Sequence, residues 1–203
     1  MKYKLFLTTT ECSARCAHCR FSGNIETDMS NSALTRLQLE LDRNDKCVYL
    51  LSGGEPTDSD NLIPVVELLE SKGVFFRIAT AGFNDLSAYE FIWRMKFFTG
   101  VSVSTDVIRA ERDEKNINHV SVWKKNIEYL KTNHISYSVT ITLLKQECLD
   151  EASLNILRLV NPDFFHIIVD SNSRLSSGHL ELRKFLTDTF RDCCVTYSEL
   201  ELL

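Results

Sequence analysis

The sequence predicts an α/β protein: a partial (β/α)6 TIM-type barrel with a parallel sheet and its helices outside. Three observations predict it. Short apolar runs suited to strands alternate with amphipathic stretches of helical period, the pattern of βαβ units around a parallel sheet. Six such units fit into 203 residues, whereas a full eight-unit barrel typically takes about 250. The segments rich in Cys, Gly, Ser and Asp follow the strands, at the end where such folds carry their active groups.

The elements follow in order. Lys2 to Thr9 is the first strand, and a cysteine-containing loop, 11–22, comes after it. Asn31 to Asp42 sets Leu34, Leu37 and Leu41 on one helical face. Cys47 to Leu51 is a short apolar strand ending in Ser-Gly-Gly-Glu-Pro, with Cys47 read as core packing. A helix from Asp60 to Lys72 turns Leu62, Val65, Val66 and Leu69 inward. Pro64 is tolerated there only in the first turn, and Gly73 stops the helix. Val74 to Ala79 is the third strand, and Asp85 to Lys96 its helix, with Ala88, Phe91, Ile92 and Met95 on one side. Val101 to Thr105 is the fourth strand. After a polar loop, His119 to Lys131 is a helix striped by Val120, Trp123, Ile127 and Leu130. Ser136 to Thr142 and Phe164 to Val169 are strands flanking a helix over Glu151 to Val160. Gly178 to Phe190 is the last amphipathic helix, and Cys194 to Tyr197 a short closing strand.

No repeat or Pro/Gly/Ser-rich linker divides the chain, so 1–203 is expected to be one domain with a short C-terminal extension after about 175. A formal net charge of −5 provides no basic face for nucleic acid or for an anionic membrane. No run approaches the roughly 20 apolar residues of a membrane span. The expected partners therefore include neither nucleic acid nor membrane. The expected location is cytoplasmic, where thiols stay reduced and clustered cysteines point to metal or catalysis rather than to disulfides.

The chemistry is concentrated in two segments. Cys12, Cys16 and Cys19, in ECSARCAHCR, put three thiols within eight residues. A structural zinc site takes four ligands, whereas three thiolates on a cubane iron–sulfur cluster leave one iron open. His18 offers a fourth zinc ligand, but that reading leaves the Gly-Gly-Glu-Pro turn and the repeated βα units unexplained. In the second segment, Gly53 and Gly54 let backbone approach a ligand closely, and Glu55 offers a carboxylate to a ligand ammonium. Taken alone, that turn reads equally as an ordinary strand-to-helix connection shaped by Pro56.

The C-x-x-x-C-x-x-C spacing after the first strand, joined to Gly-Gly-Glu-Pro after the second, resembles the radical S-adenosylmethionine superfamily. The resemblance runs from Leu5 to about Val169. It implies that Cys12, Cys16 and Cys19 hold a 4Fe–4S cluster whose free iron binds the amino and carboxylate groups of S-adenosylmethionine. It implies that an electron from the cluster cleaves the sulfonium, giving methionine and a 5′-deoxyadenosyl radical that abstracts a substrate hydrogen. A flavodoxin- or ferredoxin-like reductant follows as a partner. By the same resemblance His18, at a position that is usually aromatic, lies near the adenine, and Gly53, Gly54 and Glu55 receive the methionine amino group. Ser104 and Asp106 approach the ribose or carboxylate, with Ser102 in the role of Ser104 if the alignment shifts by two. Thr80-Ala81-Gly82 matches a common Thr-Asn-Gly with alanine in the middle, so no side-chain contact is expected there. Strand six is expected to offer backbone contacts to adenine. Arg112, with Arg109, is a candidate partner for a carboxylate of cofactor or substrate, although solvated loop arginines are commoner. His166 reads as a satisfied strand histidine.

No catalytic side chain beyond the cofactor ligands is identified. Cys148, Cys193 and Cys194 are candidates for a hydrogen-atom donor, with an idle or buried thiol the default for each. Two adjacent cysteines are too few for an auxiliary cluster. Three functions stay open. The first is an enzyme that modifies a peptide, protein segment or small molecule by hydrogen abstraction in a biosynthetic pathway. The second is an activase that installs a glycyl radical on a partner enzyme, although CSARCAHC lacks the Asn- and Tyr-rich character of such loops. The third is a non-enzymatic metal-binding or cofactor-sensing module, against which the motifs at several strand ends argue.

Overall fold

The computed structural model describes residues 3–13, 33–41, 47–105, 117–143, 151–170, 177–190 and 194–200. Its strands are β1 (Tyr3–Thr9), β2 (Val48–Gly53), β3 (Phe76–Thr80), β4 (Phe98–Ser104), β5 (Tyr137–Leu143), β6 (Phe164–Asp170) and β7 (Cys194–Leu200). Its α-helices are α1 (Ala33–Leu41), α2 (Leu62–Ser71), α3 (Glu90–Trp93), α4 (Ile117–Thr132), α5 (Glu151–Leu159) and α6 (Ser177–Thr189). Short 3-10 turns occupy Pro56–Asp58 and Leu86–Tyr89. The strands follow one another in the sheet in chain order, from β1 to β7. β1 with β2, β2 with β3, β5 with β6 and β6 with β7 all pair in parallel. This is the α/β organisation expected from the alternating pattern. The chain divides after Ser102 into two compact units.

In the first unit the sheet presents one apolar face to its helices. Register puts Phe6 beside Leu51 and Leu51 beside Ile78. These three side chains and Tyr49 and Phe76 are buried with Leu37 of α1 and with Leu62, Val65, Val66 and Leu69 of α2. Complete burial of one such side chain contributes roughly 1.5–3 kcal/mol, so this face holds the unit together. Cys47 is partly buried against the same cluster, as expected for core packing. Pro64 falls in the first turn of α2, where its missing N–H costs nothing. The helix ends as expected at Gly73: its N–H donates to Glu70 O at 3.1 Å and the Val74 N–H to Leu69 O at 3.0 Å, a Schellman closure.

The third helix differs from expectation. Instead of a helix over Asp85 to Lys96, a 3-10 turn and the single-turn α3 occupy Leu86–Trp93. The reason lies in competing partners for the backbone. Asp85 accepts from the Ser87 N–H at 3.0 Å and starts the turn. The Leu86 carbonyl accepts from the Trp93 indole at 3.1 Å. Beyond α3 the Glu70 carboxylate accepts from the Lys96 and Phe97 N–H groups at 2.9 and 3.0 Å, holding them off the helical path. The buried set is accordingly Leu86 and Ile92, while Ala88 and Phe91 are exposed.

In the second unit the stripe expected of α4 is buried in full: Val120, Trp123, Ile127 and Leu130. It shares the interior with Val103, Val139, Ile141, Phe165 and Ile167 of the strands and with Leu157, Leu182 and Leu186. Phe165 meets Phe190 with ring centroids 4.9 Å apart. The helix α4 closes on His134, whose φ of 53° is left-handed. The closing strand is longer than expected: β7 pairs with β6 over its full length, from Phe164 opposite Cys194 to Asp170 opposite Leu200.

Candidate functional site

The first unit builds its site where β1, β2 and β3 end. β1 carries an irregularity between Leu7 and Thr9, after which Thr9 lies opposite Gly53. A bulge at this point re-aims the end of a strand, and the Thr8 hydroxyl fastens it by donating to Ser52 O at 3.0 Å. The chain leaving β1 then lies directly against the Gly-Gly-Glu turn. Gly54 N–H donates to Thr9 O at 2.8 Å, and Glu55 N–H to Glu11 O at 2.7 Å. Both glycines are dictated by this contact. A Cβ on Gly53 would lie 2.1 Å from Thr9 O, at a φ of +133°, and one on Gly54 would lie 1.9 Å from Glu11 O. The close approach that two glycines signal is therefore made by the start of the cysteine loop itself.

Glu55 is 2% exposed, and both of its carboxylate oxygens accept hydrogen bonds from within the chain. Its Oε1 accepts from the Thr57 N–H at 3.1 Å, the Thr57 hydroxyl at 2.6 Å and the Thr80 hydroxyl at 2.8 Å. Its Oε2 accepts from the Ala81 N–H at 2.7 Å. Burial pushes this carboxyl above the usual carboxylate range, against the pull of the bonds from Thr57, Ala81 and Thr80. Thr80 in turn accepts from the Gly82 N–H at 2.9 Å. The Thr80-Ala81-Gly82 turn, for which no side-chain contact was expected, is thus tied to Glu55. Thr80 is the last residue of β3, one residue beyond the strand end expected from the sequence.

Polar contacts extend the site outward. Asn84 donates to the Thr57 hydroxyl oxygen at 2.9 Å and to Asp58 Oδ1 at 2.6 Å. Asp58 Oδ2 accepts from the Ser13 N–H at 2.6 Å. The Tyr89 hydroxyl donates to Thr57 O at 2.7 Å. Burial, with the Glu55 and Asp58 carboxylates nearby, holds this phenol above its ordinary value. Beside the exit of β1 lies a cavity of about 280 Å³ whose lining includes Thr9, Glu11, Arg36, Ser59 and Asn61. Arg36 Nη2 donates there to Leu7 O at 2.6 Å.

Among the expected ligands, Cys12 is half-buried, outside any disulfide and one residue beyond Glu11. Cys16, Cys19 and His18 lie outside the described residues, as do Asp106, Arg109, Arg112, Cys148 and Cys193. Ser104 is the last residue of β4 and half-buried. Ser102 falls on the same face of the strand, two residues earlier, while Val101 and Val103 turn to the buried side. In the second unit the Ser104 carbonyl accepts from the indole N–H of buried Trp123 at 2.8 Å, and Thr105 donates its N–H to Thr140 O at 2.9 Å. Cys194 begins β7, so it sits at the end of that strand opposite to the one where loops follow β5 and β6. His166 lies mid-strand on β6, and burial holds its pKa below the ordinary value.

Comparison with known proteins agrees with this geometry. The model of the radical SAM superfamily matches residues 6–175. Comparison with curated proteins finds no match. Among solved structures, SuiB from Streptococcus suis bound to S-adenosylmethionine is similar with a TM-score of 0.67 at 13% identity, over 98% of this chain and 47% of SuiB. A second SuiB structure gives 0.67 at 14%, over 98% and 49%. SuiB bound to precursor peptide SuiA gives 0.65 at 12%, over 98% and 48%. At these identities the likeness is one of fold, and it supports the partial barrel expected from six βα units. The chain spans about half the length of the SuiB structures it matches.

Proposed function

The chain belongs to the radical SAM superfamily, whose enzymes use a 4Fe–4S cluster and S-adenosylmethionine, and from that premise we propose that it abstracts hydrogen from a peptide substrate. The observation that carries the cofactor half is the backbone clamp between the two motifs. Thr9 and Glu11, on the approach to Cys12, are bonded to Gly54 and Glu55. This clamp supports Cys12, Cys16 and Cys19 as the cluster ligands and the Gly-Gly-Glu turn as the neighbouring cofactor seat.

The donor set fits the group. Cysteine thiolates are the usual ligands of a 4Fe–4S cluster, and Cys12 is a half-buried cysteine outside any disulfide, three residues beyond the end of β1. When bound, the cluster supplies the electron that cleaves S-adenosylmethionine into methionine and a 5′-deoxyadenosyl radical. The residues of this chain bind and orient. Among the described residues Glu55 Oε2 accepts one hydrogen bond, from the Ala81 N–H, which leaves an acceptor site for a ligand ammonium. Thr57 and Thr80 fix the other oxygen and so fix the plane of the carboxylate. Gly53 and Gly54 let the chain that leads into the cysteine loop lie against the seat, which supports their place beside the cofactor. Ser104, with Asp106, is the candidate contact to ribose or carboxylate, and His18 the candidate neighbour of adenine. Arg112 is the candidate carboxylate partner.

A peptide is favoured over a small molecule because a structure of similar fold is bound to a precursor peptide. A flavodoxin- or ferredoxin-like protein is the proposed electron donor. No helix among the described residues is long and apolar enough to cross a membrane; the cytoplasmic setting is proposed because clustered cysteines that serve as ligands need a reducing compartment. The test is isotopic. Reduced, cluster-loaded protein is incubated with S-adenosylmethionine and deuterated candidate peptides, and 5′-deoxyadenosine is analysed by mass. Deuterium arriving from a peptide supports the proposal. Deuterium arriving instead from a glycine α-carbon of a large partner enzyme would replace it with the activase reading.

A further inference from the structure

We propose that Asp58 is a positioning residue for the cysteine loop: it grips the peptide N–H that follows Cys12 and so fixes where that ligand sits. The inference rests on the reading of Cys12 as a cluster ligand. Asp58 closes the 3-10 turn Pro56–Asp58 that follows the Gly-Gly-Glu turn. Its Oδ2 accepts from the Ser13 N–H at 2.6 Å across a separation of 45 residues. A bond this short to an ionised carboxylate belongs to the charge-assisted class, roughly twice as strong as a neutral one. The other oxygen, Oδ1, accepts from Asn84 Nδ2 at 2.6 Å. The same nitrogen reaches the Thr57 hydroxyl at 2.9 Å, and that hydroxyl donates to Glu55 at 2.6 Å. One carboxylate thus joins the segments that leave β1, β2 and β3. The clamp from Thr9 and Glu11 fixes the loop before Cys12, and Asp58 fixes it immediately after.

The bond has a second consequence. Hydrogen bonds to cluster sulfurs and the net charge around a cluster set its potential. The amide beside Cys12 is committed to Asp58 and is withheld from sulfur. The carboxylate also brings a negative charge next to the first ligand. Both effects favour the oxidised cluster and hold its potential low. Asp58 therefore has two separable roles, a mechanical one and an electrostatic one.

Two variants separate them. Asp58→Ala removes the acceptor and the charge, whereas Asp58→Asn keeps an acceptor for Ser13 and removes only the charge. Hydrogen exchange of the Ser13 amide is measured first, in protein without cluster. Loss of a bond to a charged acceptor should speed exchange roughly tenfold or more in Asp58→Ala, with Asp58→Asn nearer the parent protein. The potential of the reconstituted cluster is then titrated and followed by electron paramagnetic resonance. Both variants should shift it to more positive values. Unchanged Ser13 exchange in a folded Asp58→Ala protein, or potentials equal to the parent in both variants, would overturn the proposal. If Asp58→Ala fails to fold, Asp58→Asn decides through the potential. If the parent protein assembles no cluster, the reading of Cys12 as a ligand fails, and Ser13 exchange still decides whether Asp58 holds the loop.

Discussion

Thr80 donates its hydroxyl to Glu55 Oε1 at 2.8 Å, so the last residue of β3 holds the carboxylate that ends β2's turn. The same hydroxyl accepts from the Gly82 N–H. Thr80→Val removes both bonds without changing the size of the side chain much and leaves a buried carboxylate with one donor fewer. The expected cost is about 1–3 kcal/mol, read as a lower midpoint in urea unfolding. Thr80→Ser keeps the hydroxyl and should unfold close to the parent. Equal midpoints for Thr80→Val and the parent would show that the bond contributes nothing.

Gly54→Ala should disable the site more severely than any side-chain deletion around it. The added Cβ would lie 1.9 Å from Glu11 O, so the clamp must open and the cysteine loop must move. Reconstitution should then yield little cluster absorption while the helical circular dichroism persists. Gly53→Ala meets Thr9 O at 2.1 Å and adds strain at a φ of +133°. Full cluster loading in Gly54→Ala would refute the view that this contact positions the loop.

His134 sits at the left-handed closure of α4, where its N–H donates to Lys131 O and the Ile135 N–H to Leu130 O. Glycine removes the Cβ strain of that conformation at some cost in unfolded-chain entropy. His134→Gly should therefore stabilise the protein by roughly 0.5–1 kcal/mol. Thermal unfolding measures it, and a lower midpoint in His134→Gly would contradict the assignment.

Acid sensitivity should come partly from His166. Burial lowers its pKa below the ordinary 6.5, so at and below that pH the unfolded chain binds a proton more readily than the folded one. Stability then falls as pH falls through 6.5 and levels off once the pH lies below the folded-state pKa. His166→Asn should flatten this slope. Denaturant midpoints collected across that window for both proteins provide the comparison, and identical slopes would exclude His166 as the source.

Much of this architecture is legible in the sequence because burial follows period. Val65, Val66 and Leu69 announce one face of α2, and Trp123 and Leu130 one face of α4, and all five are buried. The cysteine spacing and the Gly-Gly-Glu turn announce the site by the same logic of local pattern. What sequence did not reveal depends on which segments the sheet brings side by side. Thr80 and Ala81 meet Glu55 only because β3 pairs with β2, and Asp58 meets Ser13 only because β1 flanks β2 on the other side. The misread third helix has the same cause. Glu70 and the Trp93 indole intercept backbone groups that a periodic pattern assigns to helix.

The central claim is that this chain holds a cluster on three thiolates to cleave S-adenosylmethionine. The most direct measurement is 5′-deoxyadenosine formed by anaerobically reconstituted, reduced protein, run beside Cys16→Ala. The account predicts production by the parent protein, and neither cluster absorption nor product in the variant. A parent protein with no cluster absorption and no cleavage, or a Cys16→Ala protein that keeps both, would contradict it.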